Sequence, residues 1–396
     1  MYRLKLAFRY LLNRKICYLA VVAVALCVFI VIVVMTVHTG LVTEFKNKNH
    51  KFVSDCIVST DSMVGFAYYE EFLNILQTEK TVEAASPVVK SIGTLTRSGY
   101  DENIGIEMMG IDIENHIKTT NFASTLYYNR QTPENAFVPA YAPASPGFVA
   151  GVSMMSERDP NGNYSHPGNL PRLEIKISCV PLTAKGAMQK ADTDFVNTQK
   201  FFFADDSESK LAKVDGRMIY MPIENAQILC GMSGGDERVN AIFIKFAEGV
   251  STDEGKRHVA KLWQDHTSAN SGKPLAFLFD GVTVQDWKQY RRGTIAPMEK
   301  EQTMLTILFV MVGITTVFIV FVVFYMLIAH KARDIGIMRS IGVSRVSIIR
   351  LFLLFALFIG LAGTIIGTAL GKLLLWKIND KNPSSLYTEE KSELYA

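Results

Sequence analysis

Three long stretches without a charged residue limit what this chain can fold into. They cover residues 16–37, 303–329 and 351–371. An α-helix rises about 1.5 Å per residue, so each stretch can cross a hydrocarbon core of roughly 30 Å. We therefore predict three transmembrane helices. The first follows a basic segment, as a signal peptide would, but it exceeds the roughly 7–15 apolar residues of such a peptide, so we interpret it as a retained span.

Positive charge flanks these spans unevenly. Residues 1–15 contain Arg3, Lys5, Arg9, Arg14 and Lys15, and residues 330–350 contain Lys331, Arg333, Arg339, Arg345 and Arg350. Because lysine and arginine accumulate in cytoplasmic segments, both regions are predicted to lie in the cytoplasm. Residues 38–302 and the tail 372–396 are then outside the cytoplasmic, or inner, membrane.

The large external segment mixes strand-like and helix-like patterns. Strands are predicted at 51–60, 103–111, 173–180 and 238–246, and helices at 68–79 and 252–266. Residues 129–171 hold seven of the thirteen prolines, which favours irregular loops. The prediction is an α+β membrane protein whose external domain has two lobes, the inserted lobe covering about 120–230.

Four glycines mark the third span: Gly360, Gly363, Gly367 and Gly371. Three of them are spaced by four residues, which makes one helix face smooth and lets a second helix approach closely. We predict a helix–helix contact there.

The short cytoplasmic link has an apolar stripe. Ile335, Met338 and Ile341 follow one another at three-residue spacing and are surrounded by charged residues. This pattern favours an amphipathic helix on the inner membrane face that docks a cytoplasmic partner, rather than an ordinary basic loop. The predicted docking residues are Lys331, Arg333, Asp334, Ile335, Gly336, Met338, Arg339, Ile341 and Gly342.

Several motifs do not indicate chemistry of their own. Gly231, Ser233 and Gly235 match the spacing of a hydrolase nucleophile elbow, but a helix precedes them and a strand follows, which is the reverse of the required order. The scattered histidines predict no metal site, and there is no phosphate-binding loop for ATP. No catalytic residue and no cofactor are therefore predicted in this chain.

The charged residues and the cysteines also limit what the chain is expected to bind or form. A net charge of +3 gives no reason to expect nucleic-acid binding. The acidic residues Asp192, Asp194, Asp205 and Asp206 are predicted to form a solvated surface. Cys56, Cys179 and Cys230 allow one disulfide and one free thiol in an oxidising compartment, and the sequence does not say which pair would form.

The segment KARDIGIMRSIGVS resembles the cytoplasmic coupling helix of ABC-transporter permeases of the FtsX, MacB and LolC/LolE superfamily. FLLFALFIGLAGTIIGTALG, at 352–371, resembles the helix that follows it in that family. FRYLLNRK, MGIDIENH and MPIENAQIL are similar to the lipoprotein-releasing branch. The resemblance covers about residues 2–371.

This resemblance implies a MacB-like external core domain and a separate cytoplasmic ATPase subunit that binds ATP and Mg²⁺ and docks on the coupling helix. It also implies a second permease subunit, identical or different, and a surrounding lipid bilayer. The chain would then transmit movement to work outside the membrane, most simply the release of lipoprotein cargo. A MacB-like efflux permease for peptides, toxins or drugs is the alternative, and a membrane sensor or scaffold is the alternative from another class.

The family pattern has a fourth span that returns the C-terminus to the cytoplasm. Residues 372–396 contain no apolar run long enough for it. From the sequence we expect either a truncated chain or a changed architecture.

Overall fold

The computed structural model describes residues 15–97, 103–158, 164–166, 172–189, 195–235 and 237–381. The chain forms two compact units. Unit 1 comprises Met1–Glu44 and Ala296–Ala396, and unit 2 comprises Phe45–Ile295. Most of the basic segment 1–15 and the end of the tail, 382–396, lie outside the described residues.

The helices are α1 (Lys15–Val53), α2 (Tyr69–Thr78), α3 (Ile113–Thr119), α4 (Phe122–Thr125), α5 (Val152–Met155), α6 (Ala212–Arg217), α7 (Ile223–Cys230), α8 (Thr252–Ala269), α9 (Trp287–Tyr290), α10 (Arg292–His330), α11 (Ala332–Ser340) and α12 (Arg345–Lys381). Two 3₁₀ segments cover Pro133–Asn135 and Ala276–Gly281. The strands are β1 (Cys56–Thr60), β2 (Phe66–Ala67), β3 (Val82–Arg97), β4 (Asn103–Ile111), β5 (Gly147–Gly151), β6 (Glu174–Cys179), β7 (Asn197–Ser207), β8 (Met218–Pro222), β9 (Arg238–Val239), β10 (Ala241–Phe246) and β11 (Val282–Asp286).

Three of these helices, α1, α10 and α12, are long and apolar enough to cross a membrane. Each extends beyond the uncharged stretch that predicted it, and α10 continues through Pro297. Their apolar residues do not follow one stripe, which is typical of helices surrounded by lipid or by other helices. The predicted α+β fold with three long apolar helices is confirmed.

The main sheet of unit 2 has nine strands in the order β11-β1-β10-β3-β4-β8-β5-β7-β6. The long strand β3 pairs with β10 at its beginning and with β4 from Val88 to Thr96. Its last residues, Thr94–Arg97, also pair with β6. Six strands, from β3 through β4, β8, β5 and β7 to β6, therefore close into a ring, while β10, β1 and β11 continue as an open sheet.

Both faces of the open sheet are covered. In β10, Ile242 and Ile244 belong to one buried cluster, and Phe243 between them belongs to another. Successive strand residues point to opposite faces, so a strand buried on both sides reads as a continuous apolar run. This explains why AIFIKF in β10 lacks the alternation expected of a half-exposed strand.

Most of the predicted elements of unit 2 are confirmed, but one boundary was wrong. The predicted strand at 51–60 begins only at Cys56, because residues 51–53 form the last turn of α1. Ser54 adopts a left-handed conformation, with φ 67°, and its N–H still bonds to the carbonyl of His50. This residue ends the helix and turns the chain into the strand.

The proline-rich middle is more regular than predicted. Residues 147–151, GFVAG, form β5, which is fully buried between β7 and β8. The sequence did not predict this short apolar strand, because turn-forming residues flank it on both sides. Residues 159–163 and 167–171 of the same stretch lie outside the described residues.

The prediction that Asp205 and Asp206 lie on a solvated surface was wrong. Asp205 is fully buried and accepts backbone N–H bonds from Tyr128 and Asn129 at 2.8 and 2.7 Å. Asp206 faces Nδ1 of His166 at 3.3 Å, and its burial, followed by the neighbouring charge of Asp205, raises its pKa to about 7. Asp192 and Asp194 lie outside the described residues.

The G-x-S-x-G match is a helix end, as predicted. Gly231 follows α7 in a left-handed conformation, with φ 71°, and its N–H bonds back to Ile228. No strand enters this turn, so Ser233 does not occupy a nucleophile elbow.

Candidate coupling site

A short helix joins two of the long apolar helices. α11, Ala332–Ser340, lies between α10 and α12, and the three are separated by turns of only a few residues. It contains most of the residues predicted to dock a partner.

The end of α11 is closed by a Schellman motif. Gly342 adopts φ 93°, its N–H donates to the carbonyl of Arg339 at 3.1 Å, and the N–H of Val343 donates to the carbonyl of Met338 at 3.1 Å. Such a positive φ favours glycine, which has no Cβ. Ser344 then begins α12, because its hydroxyl accepts the N–H of Ser347. Glycine and serine thus fix the turn after α11.

The side chains of α11 divide into two sets. Ile335 and Met338 are partly buried, as is Lys331. Arg333, Gly336, Arg339 and Gly342 are exposed, and Ile341 is 77% exposed. The side chain of Asp334 lies outside the described part of this helix.

Ile337, which the three-residue stripe missed, is 53% exposed. It lies four residues before Ile341, the spacing that places two helical side chains on one face. That spacing was the signal for it in the sequence.

Three of the four predicted glycines of α12 contact α1. A Cβ added to Gly363 would lie 2.7 Å from the side chain of Val24, and one added to Gly367 would lie 2.5 Å from the carbonyl oxygen of Ala25. At Gly371 the nearest atom is Cγ2 of Ile32, at 3.3 Å. Among the residues that the structure describes, no such atom lies within 4 Å of a Cβ added to Gly360.

The long helices also share a small apolar cluster. Ala20 and Val21 of α1 pack with Val323 of α10 and Ile359 of α12. Most of the described side chains of α10 between residues 303 and 329 are nevertheless exposed. In a membrane, this surface would face lipid or a second protein subunit.

In unit 2, the end of α1 is joined to the residues that lead into α10. Nε of Arg291 donates to Oδ1 of the fully buried Asn49 at 2.8 Å. The Arg291 guanidinium also lies over the ring of Phe52, 5.3 Å from its centre. Nothing in the spacing of Asn49 and Arg291 predicts this contact, because they are 242 residues apart.

A second contact joins the same region. His50 stacks on Trp287, with ring centres 4.7 Å apart, and its Nε2 lies 2.7 Å from Oδ1 of Asp55. Burial alone would raise the pKa of Asp55, but the hydrogen bonds from His50 and from the N–H of Phe246 lower it below its usual value. We call Asn49, His50, Asp55, Trp287 and Arg291 the basal cluster.

The described residues contain no group of three or more His, Cys, Asp or Glu side chains that could hold a metal ion. The features that stand out are therefore an exposed connecting helix, a close helix–helix contact and the basal cluster. They serve contact between elements, and none of them brings a nucleophile together with a base.

Known proteins are similar to this chain in the region of the connecting helix and along most of its length. Residues 306–392, which include most of α10 and all of α11 and α12, match the FtsX-like permease C-terminal family. Over 375 residues the chain is 22% identical to the lipoprotein-releasing system transmembrane protein LolC of Neisseria meningitidis serogroup B. That alignment covers 91% of this chain and 77% of the relative. LolC of Xylella fastidiosa is 28% identical over 107 residues, which are 27% of this chain and 26% of that protein.

Two solved structures are similar to part of the chain. One is the periplasmic region of MacB from Actinobacillus actinomycetemcomitans, with a TM-score of 0.35 and 10% identity, covering 62% of this chain and 94% of that one. The other is the extracellular domain of the noncanonic ABC-type transporter YknZ from Gram-positive bacteria, with a TM-score of 0.32 and 13% identity, covering 59% and 97%.

The C-terminal match contains the connecting helix, and the LolC-like sequence extends over both units. The chain therefore has an FtsX-like permease C-terminal domain and a LolC-like sequence along most of its length.

Proposed function

We propose that this permease subunit converts ATP hydrolysis by a separate cytoplasmic ATPase into the release of lipoproteins from the outer face of the cytoplasmic membrane. The observation that carries the proposal is α11, a short capped helix with an exposed face between two membrane-length helices. The LolC-like sequence supports lipoproteins as the cargo.

The exposed face of α11 suits a protein partner. Arg333 and Arg339 supply planar cations that bind carboxylates bidentately, and Ile337 and Ile341 supply exposed apolar area. Buried apolar anchors and arginine side chains carry much of the binding energy of protein interfaces. The partner surface would be a groove with acidic side chains at its rim, provided by the ATPase.

The long helices would carry the movement. α1 and α10 each contribute residues to both units, and in unit 2 their ends meet at the basal cluster. A conformational change requires that the partner bind one state more tightly than the other. Closure of an ATPase dimer on α11 would provide this difference, and the bond between Arg291 and Asn49 would keep both helix ends together as unit 2 responds.

The proposed arrangement in the membrane follows the distribution of positive charge. The N-terminus and α11 are cytoplasmic, and unit 2 is external. A second permease subunit, identical or different, covers part of α10, and lipid covers the rest. ATP and Mg²⁺ bind in the partner ATPase, and this chain needs no cofactor of its own.

Co-purification in detergent with the candidate ATPase from the same genome tests the docking step. Arg339→Glu reverses a charge on the exposed face, and Gly342→Trp places a bulky side chain at φ 93°. Both variants should lose at least about tenfold in affinity, which corresponds to about 1.4 kcal/mol. Gly249→Trp is the matched control, because Gly249 also has a positive φ, 87°, and open space around it, but lies in unit 2. Equal loss in all three variants would contradict docking through α11.

Orientation is tested by labelling with a membrane-impermeant maleimide. Ser268→Cys in unit 2 and Ser340→Cys in α11 introduce thiols at exposed positions. We expect labelling of the first in intact spheroplasts and of the second only after permeabilisation. The reverse pattern would refute the proposed orientation.

The cargo is tested in proteoliposomes that contain this chain, its ATPase and a fluorescent acylated lipoprotein. ATP should release the lipoprotein into the soluble fraction only when a lipid-binding acceptor protein is present. Transport of a water-soluble peptide in the same vesicles, without lipoprotein release, would instead favour an efflux permease.

A further inference from the structure

Two buried thiols face each other in unit 2. Cys179 is the last residue of β6 and Cys230 is the last residue of α7, and their sulfur atoms lie 3.9 Å apart. Only 4% of Cys179 and 3% of Cys230 is exposed. The two residues are 51 positions apart along the chain.

Hydrogen bonds that do not involve sulfur hold both backbones in place. Cys179 pairs with Asn197 in the β6–β7 ladder. The Asn197 side chain donates to the carbonyl of Ile228 at 2.8 Å, and the N–H of Leu182 donates to the carbonyl of Cys230 at 3.0 Å. The sulfur atoms are therefore brought together by the fold, and small side-chain rotations would take them to bonding distance.

A buried arginine fixes the adjoining loops. The guanidinium of Arg238 donates to the carbonyls of Val64, Leu182 and Gly231 at 3.0, 2.9 and 2.6 Å. Gly231 directly follows Cys230, so this network limits the movement of one thiol relative to the other.

The chemistry of the pair favours reaction of Cys179. Hydrogen bonding from Cys230, and more weakly from the Ser91 hydroxyl, lowers the pKa of the Cys179 thiol below its usual value. The hydrogen bond that it donates to Cys179, followed by burial, raises the pKa of Cys230. Thiolates are the attacking species in disulfide exchange, so Cys179 is suited to attack first.

We propose that Cys179 and Cys230 form an intramolecular disulfide in the folded chain. Its formation in cells rests on the proposed function, because external placement of unit 2 exposes it to an oxidising compartment. The oxidant is a small-molecule or protein disulfide. The Cys179 thiolate attacks one of its sulfur atoms and releases one thiol, and Cys230 then attacks the Cys179 sulfur and releases the second. Two protons leave the cysteine pair, and the oxidant disulfide is reduced to two thiols.

Cys56 provides an internal control. It lies on β1, where burial raises its pKa to about 12, so its thiol is almost entirely protonated at neutral pH. Of the pairings that the sequence left open, the 3.9 Å separation of the two sulfur atoms favours Cys179 with Cys230.

The test uses the full chain in detergent, equilibrated with mixtures of reduced and oxidised glutathione, then alkylated and digested with trypsin. We expect a cross-linked pair of the peptides 177–185 and 218–238 under oxidising conditions. The cross-link should persist in Cys56→Ser and disappear in Cys179→Ser. Separate alkylated peptides throughout the titration, including in a urea concentration that opens the fold partially, would overturn the proposal, as would pairing of either thiol with Cys56.

Acid quenching of intact cells, followed by alkylation, tests the disulfide and the external placement of unit 2 separately. A cross-link present in the cells supports both. If the purified chain forms the cross-link but the protein in cells carries free thiols, the pairing stands and the external placement of unit 2 fails.

Discussion

Replacing Gly367 by alanine is expected to weaken the packing of α12 against α1. The new Cβ would lie 2.5 Å from the carbonyl oxygen of Ala25 and 2.9 Å from Cβ of Val28. Carbon atoms pack best at about 3.5–4.0 Å, so the two helices would have to separate. Because one of the obstructing atoms belongs to a helix backbone, rotation of a side chain cannot relieve the contact.

Two opposing effects determine how much Gly367→Ala destabilises the chain. Overpacking of a close contact costs about 1–3 kcal/mol. Alanine is the better helix former, by about 1 kcal/mol, which offsets part of that loss. The expected net destabilisation is about 1–2 kcal/mol. At Gly360, no atom of another described element lies within 4 Å of the added Cβ, so the favourable helix propensity dominates and alanine there should be neutral or slightly stabilising.

The assay is heating of the full chain in detergent, with the folded fraction measured by size-exclusion chromatography. Gly367→Ala should lose its monodisperse peak a few degrees below the unaltered chain, and Gly360→Ala should not. Two variants of equal stability would refute the argument from close helix approach.

Three further predictions concern unit 2. Asn49→Ala removes the acceptor of the Arg291 guanidinium and should lower the free energy of unfolding by about 2 kcal/mol, measured by urea titration of tryptophan fluorescence; an unchanged midpoint would contradict it. The pKa of Asp206 rises from 3.8 to about 7 on folding. Its carboxyl group therefore stabilises the fold below pH 4, and this stabilisation is lost as the pH rises to 7. The free energy of unfolding of Asp206→Asn, relative to that of the unaltered chain, should increase over the same pH range. Closing the 51-residue separation with the Cys179–Cys230 disulfide should stabilise the chain by up to about 4 kcal/mol, seen by calorimetry as a higher Tm that reductant abolishes.

The sequence predicted the features that depend on local pattern. Uncharged length predicts α1, α10 and α12, because crossing a bilayer requires it. Four-residue spacing predicts the smooth face at Gly363 and Gly367, although it does not identify α1 as the partner. The turn at Gly231 follows from the order of helix and strand around it.

The features that were missed depend on contacts between distant parts of the chain. Asp205 looks solvated in the sequence, but backbone N–H groups of Tyr128 and Asn129, more than seventy residues away, make its burial tolerable. Asn49 and Arg291 are likewise ordinary polar residues until the fold joins them. The periodic pattern of neighbouring residues in the sequence does not indicate contacts between residues so far apart.

The pairing of β1 with β11 has a mechanical consequence. β1 follows α1 closely, and β11 leads through α9 into α10. Five residue pairs, from Cys56 with Asp286 to Thr60 with Val282, fix the two strands lengthwise. A slip of one residue would turn every side chain of a strand to the opposite face. The pairing therefore opposes a lengthwise slip of β1 past β11, so the segment that leaves α1 and the segment that leads into α10 are held in a fixed register within unit 2.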